Sequence, residues 1–167
     1  LKVRVFAALF LILMVSAGAG AFEPNSKAMK YYSVLVSSPE PGYVFSRFYD
    51  AWLDTGTAEQ LEQFLKDKLG GEDSLSNHLM LAFFYMQEGR DVAALKEFRA
   101  ILLKDSAPAS ARVLFHKAEI ESRTLNFDTA IKDLAAAAEI CSDSELKIKI
   151  MKLLGRVYIR NGQREKA

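Results

Sequence analysis

One pattern recurs three times along this chain. It reads Leu81-Ala82-x-x-Tyr85-x-x-x-Gly89 followed by Ala94 and Phe98, then Ala118 followed by Phe127, Ala130 and Leu134, then Leu154-Gly155-x-x-Tyr158-x-x-x-Gly162 followed by Ala167. The equivalent alanines, Ala94, Ala130 and Ala167, are 36 and 37 residues apart. Self-similarity at that spacing leaves few architectures open, because each unit must bury its apolar side against the next. Within the units the apolar residues follow a helical rhythm rather than an alternating one. The expected fold is all-α: an α-solenoid of antiparallel helical hairpins whose stability is shared between neighbours.

Half of the 167 residues are hydrophobic, but not all of that content belongs to a core. Residues 1–21 read as a signal peptide. Lys2 and Arg4 supply its positive start, Val5 to Val15 is uncharged and apolar, and Ala17-Gly18-Ala19-Gly20-Ala21 offers small residues for cleavage after Ala21 or Ala19. The expected localisation is exported, periplasmic or secreted. The alternative is an N-terminal membrane anchor, since the uncharged run from Val5 to Phe22 is near the lower length limit for a span. Loss of Lys2 and Arg4 on cleavage takes the formal charge from +1 to −1. A near-neutral domain without a basic cluster argues against general nucleic-acid binding. Cys141 is the only cysteine, so no internal disulfide is available and the domain must be held by packing.

Residues 22–42 read as a leader or linker, in which Pro24, Pro39 and Pro41 forbid a continuous helix. Within it, Tyr31 to Val36 reads as a short extended piece or a turn of helix packed on the first hairpin. From Tyr43 the rhythm is helical: Phe45, Phe48, Tyr49 and Trp52 share one face. Gly56 suits a left-handed cap, and Thr57 with Gln60 forms a capping-box pattern ahead of Leu61, Phe64, Leu65 and Leu69. Residues 43–71 are thus a degenerate first hairpin. Residues 74–167 hold the clearer units, at about 74–108, 109–143 and 144–167. In the last, Ile148, Met151, Leu154, Gly155 and Tyr158 form the expected apolar face, and the pattern stops inside a second helix, so the protein is expected to continue. In the unit starting at Ser74, apolar residues cover so much of the first helix that it must touch neighbours on two sides.

These residues resemble the tetratricopeptide repeat family, as found in exported bacterial proteins. Its pattern is met by His78, Leu81, Ala82, Tyr85, Gly89, Ala94, Phe98 and Ile101, and by Met151, Leu154, Gly155, Tyr158, Gly162 and Ala167. The middle unit departs from it: Lys117, Glu121 and Leu125 stand where the pattern has Leu, Tyr and Gly. The physical reason for the small residues is independent of the resemblance. Paired helices come within roughly 8–10 Å only where contact residues are small, and Ala82 with Ala94, Ala118 with Ala130 and Gly155 with Ala167 are such pairs.

The resemblance implies a non-catalytic scaffold that binds a peptide or partner protein on its concave face, lined by the first helix of each hairpin. Carried onto this register, Leu79, Phe83, Met86 and Phe115 would take an apolar side chain. Arg123, Lys152, Arg156 and Arg160 would take carboxylates. Taken together, the groove positions run from acidic near Asp50 and Asp54, through apolar, to basic near Arg156. The rival readings are a rigid structural or dimerisation spacer, and the recruitment arm of a larger exported enzyme with a catalytic domain beyond residue 167. No catalytic residue, cofactor site or metal site is expected within the chain. His78 and His116 are the only histidines, and neither has a Cys or carboxylate at ligand spacing such as His-x-x-x-His. Beyond a protein or peptide partner, the sequence implies no nucleic acid, and no membrane after signal cleavage.

Overall fold

A computed structural model describes residues 25–104 and 107–167. The signal peptide expected over 1–21 lies outside them. All regular structure among the described residues is helical. In chain order it comprises α1 (Ser26–Ser37), α2 (Tyr43–Leu53), α3 (Ala58–Asp67), α4 (Ser74–Gln87), α5 (Asp91–Lys104), α6 (Ala107–Arg123), α7 (Phe127–Ile140) and α8 (Ser144–Arg160). A 3-10 turn, Arg164–Lys166, follows. None of these helices is long and apolar enough to cross a membrane.

The first difference from expectation is α1. The prolines of 22–42 predict a leader without a continuous helix, yet 12 residues between Pro24 and Pro39 are helical. Prolines outside a helix delimit it rather than break it. Asn25 caps the start, its side chain accepting from the Ala28 amide at 2.7 Å. Ala28 and Leu35 are fully buried. α1 runs antiparallel to α2, with the Asn25 amide donating to the Ala51 carbonyl at the far end of α2. The closest partner of α2 is therefore α1 and not α3. α3 meets α2 through side chains, with the Trp52 and Phe64 rings 4.9 Å apart. The capping box at Thr57 and Gln60 is formed in both directions, at 2.9 and 3.3 Å. Gly56 is not left-handed: its φ is not among the positive ones, and its amide simply reaches the Trp52 carbonyl at 2.9 Å.

From α4 onward each helix packs antiparallel on the one before it, as the side-chain links Tyr85–Glu62, His78–Glu97, Arg123–Asp91, Lys117–Asp133 and Asn161–Asp128 indicate. The turn that ends α4, α6 and α8 is the same three times. Gly89, Leu125 and Gly162 have φ of 68°, 65° and 77°. The next amide reaches back to the carbonyl five residues earlier: Arg90 to Tyr85 at 2.8 Å, Asn126 to Glu121 at 2.8 Å, and Gln163 to Tyr158 at 2.9 Å. This is the Schellman closure, which satisfies carbonyls that a helix end leaves open. Ala94 and Ala130 each stand fourth in their helix and are fully buried. Ala167 lies just past the 3-10 turn instead, where a Cβ added to Gly155 would come within 3.9 Å of its carbonyl carbon.

Residues Asn77 to Tyr85 of α4 are buried without interruption, because α1, α2, α3 and α5 all pack on this helix. α8 is different. Its buried residues are Ile150, Leu153 and Val157, while Ile148 and Met151 are half exposed. Of the face expected from the repeat pattern, Gly155 lies beside Ala167 and Leu154 packs on the cluster with α6 and α7, while the covered residues Ile150, Leu153 and Val157 belong to that cluster. The apolar interior forms two clusters. One joins α1–α5 and includes Val113 and Ile120 of α6. The other joins α7 and α8 and includes Ala111, Phe115 and Ala118 of α6.

Glu62 ties α3 to the α4–α5 turn. It accepts from Tyr85 Oη at 2.9 Å, pairs with Lys66 at 2.6 Å and receives the Arg90 guanidinium, which also stands 4.6 Å from the Tyr85 ring centre. Burial acts to raise its pKa, but the hydrogen bonds from Arg90, Lys66 and Tyr85 outweigh it and hold the carboxyl at about 2. A carboxyl lowered on folding adds stability above its unfolded value of 4.5 and loses it as pH falls toward the folded value. The urea midpoint of Glu62→Gln should therefore fall below that of the wild type at pH 7 and converge with it between pH 4.5 and 2. A pH-independent gap would contradict this. Leu125 is 65% exposed, so its side chain gives up little burial if removed, and its left-handed backbone is unfavourable for any residue with a Cβ. Leu125→Gly should raise stability by about 0.5–1 kcal/mol, net of the freer unfolded chain, in the same assay.

Candidate functional site

α6 and α8 both run antiparallel to α7, so they lie parallel to one another on one side of it. Residues 112, 115, 119, 122 and 123 of α6 recur at helical spacing and share a face, and so do 146, 149, 153, 156 and 160 of α8. The two faces border a furrow. α8 is fixed at its start by Asp143, whose side chain accepts from the amides of Glu145 at 2.9 Å and Leu146 at 3.2 Å. Ile150 and Val157 are fully buried and set the rotation of the helix, which leaves its cations outward.

At the C-terminal end of both helices the furrow deepens into a cleft of 330 Å³ lined by Glu119, Ser122, Arg123, Leu153, Arg156 and Arg160. Arg123 Nε donates to Asp91 Oδ2 of α5 at 3.0 Å. Arg160 Nη1 donates to Ser122 Oγ at 3.1 Å, and its guanidinium stands 5.0 Å from the Phe127 ring centre. Glu119 is engaged by His116 Nδ1 at 2.7 Å. Arg156 is exposed and makes no hydrogen bond or ion pair with any described residue. The cleft thus holds two guanidinium groups positioned by neighbours and one that is free to turn inward. A planar guanidinium presents a fork that matches a carboxylate.

Three of the four cations expected to take carboxylates, Arg123, Arg156 and Arg160, are brought together here. Lys152 is exposed and lies outside the cleft lining. The four apolar positions are placed otherwise. Leu79 and Phe83 are 3% and 2% exposed and belong to the interior. α1 and α2 have taken up that face of α4: the Phe45 and Phe83 rings are 5.9 Å apart, Tyr32 Oη donates to Asn77 Oδ1 at 2.8 Å, and Ser76 Oγ donates to the Val36 carbonyl at 2.8 Å. Phe115 is 7% exposed and Met86 is partly buried against the core. These four side chains are therefore packing residues, not an open apolar patch.

Both histidines have carboxylate neighbours that sequence reading missed. His78 Nδ1 is 2.8 Å from Glu97 across the α4–α5 pair, and His116 Nδ1 contacts Glu119 within α6. His116 is also wedged between the rings of Phe83 at 5.2 Å and Phe98 at 6.4 Å. Glu40 is a further residue on this face that no local pattern revealed. It lies in the α1–α2 connection and pairs with Arg112 of α6 at 2.8 Å.

Beneath the furrow, between α6 and α7, Lys117 bridges Glu121 and Asp133, all three nearly buried. Glu121 Oε2 has no hydrogen-bond partner among the described residues. Burial, with Asp133 beside it, holds the Glu121 carboxyl above the usual carboxylate range despite Lys117. Removing the cation strands two buried carboxylates, so Lys117→Met should destabilise the fold by about 3 kcal/mol at pH 7. Part of that loss should return on acidification as the carboxylates take up protons. Equal urea midpoints for the two proteins at pH 7 would refute it. Comparison of the chain with family models, with curated proteins and with solved structures gives no match.

Proposed function

We propose that this chain is a tetratricopeptide-like α-solenoid that works without catalysis, holding an acidic segment of a partner protein in the furrow between α6 and α8. The observation that carries the proposal is the convergence of Arg123, Arg156 and Arg160 on one cleft, with Arg156 uncommitted. Fixed guanidinium groups lose little freedom on binding, and a carboxylate in the cleft would meet charge-assisted donors from both helices. The solenoid reading draws support from the turn that recurs at Gly89, Leu125 and Gly162 and from the matched, buried Ala94 and Ala130. Export through residues 1–21 belongs to the same proposal and would place the partner in the periplasm or outside the cell.

The rival role, as a structural or dimerisation module, is favoured by one observation. Ile148, Met151 and Ile159 are each more than half exposed along α8. That role asks nothing of Arg156, so one measurement separates the two. A fluorescein-labelled peptide of four consecutive glutamates should bind the wild-type chain, with affinity that falls as salt rises. Arg156→Ala should weaken it about tenfold, the cost of one charge-assisted contact of about 1.4 kcal/mol. Unchanged affinity in Arg156→Ala removes the proposal and leaves the structural role.

A further inference from the structure

The connection between α1 and α2 reads Ser38-Pro39-Glu40-Pro41-Gly42. Two prolines around one glutamate make a stiff, extended segment, since each fixes its own φ and restricts the residue before it. Gly42, with φ of 120°, turns the chain into α2 in a conformation that side chains rarely adopt. The corner does not end against its own hairpin. Glu40 and Pro41 form one wall of a cleft of 270 Å³ whose other walls include Arg112 and Phe115 of α6, Lys149 of α8, and the carboxylates of Asp143 and Glu145, the latter 2.8 Å from Lys149. Glu40 Oε1 is 2.8 Å from Arg112 Nη2.

This cleft and the arginine cleft lie between the same two helices. Arg112 and Arg123 are on one face of α6, and Lys149 and Arg160 on one face of α8, so the two clefts are ends of a single furrow. Eleven residues of helix separate Arg112 from Arg123, roughly 16 Å. At one end a carboxylate on an extended, proline-flanked segment is already seated on a guanidinium. At the other end Arg123 is held by Asp91 of α5, while Arg156 and Arg160 have no carboxylate partner among the described residues. The seated contact is partly open to water, with Glu40 47% exposed, which makes it displaceable.

We propose that the Pro39-Glu40-Pro41 corner is a tethered internal ligand of the furrow, and that an extended acidic segment of the partner displaces it in order to lie along the full length of α6 and α8. This rests on the acidic-partner reading above and adds its regulation. The corner withholds the Arg112 end until a segment with more than one carboxylate engages both ends, so a single acidic residue is a poor ligand and a run of them a good one. A tethered occupant lowers the apparent affinity of any competitor by the fraction of time it stays in place.

The test uses the full chain and the labelled tetra-glutamate peptide. Glu40→Ala should bind the peptide about two- to fivefold more tightly than the wild type, the range that a partly exposed ion pair can withhold. Asp54→Ala removes the same charge from the far end of α2 and should change affinity less than Glu40→Ala does. In carbon-13 NMR of the wild type, adding the peptide should shift the Glu40 side-chain carboxyl resonance as it leaves Arg112. Tighter binding by Glu40→Ala alone, with that shift in the wild type, supports the proposal. If Arg156→Ala weakens binding while Glu40→Ala equals the wild type or Asp54→Ala, the corner is not an occupant, and the acidic-partner reading survives. If neither the wild type nor Glu40→Ala binds the peptide, both fall.

Discussion

A residue with left-handed φ, followed by an amide that reaches back five positions, reverses this chain at Gly89, Leu125 and Gly162. The closure has the same backbone hydrogen bond each time. It fixes how far the second helix is rotated relative to the first. It therefore fixes which residues of α6 and α8 look away from their partners. The arginine cleft lies where α6 and α8 run side by side, Arg123 on one and Arg156 and Arg160 on the other. At Leu125 the geometry is kept even though the residue is not glycine, closed by the Asn126 amide on the Glu121 carbonyl.

Much of this was legible in the sequence, for a physical reason. Helical rhythm and end signals are local, so the capping box at Thr57 and Gln60, the reversals at Gly89 and Gly162 and the small residues Ala94 and Ala130 could be read from their neighbours. What could not be read was coverage. Leu79 and Phe83 carry the right spacing for an open groove, but spacing does not say that α1 and α2 will lie on them. α1 itself was hidden because prolines that bracket a helix look, in sequence, like prolines that prevent one. The Glu40–Arg112 pair joins residues far apart along the chain and leaves no local trace.

The α6–α7 interface is charged where the α4–α5 interface is apolar. Lys117 and Glu121 sit in it, completed by Asp133, whereas Leu81 and Tyr85 of α4 are buried in the apolar core. Ala118 and Ala130 still meet in that interface, both fully buried. The three charges hold one another in a poorly hydrated place. Such a set is less forgiving of single changes than an apolar contact, since each member depends on the others for compensation.

The two apolar clusters share one member helix. Val113 and Ile120 of α6 face the first cluster, while Ala111, Phe115 and Ala118 face the second. α6 is thus a common beam between two blocks that otherwise touch little. Any movement of one block against the other must therefore be borne by α6, the described helix whose side chains belong to both clusters.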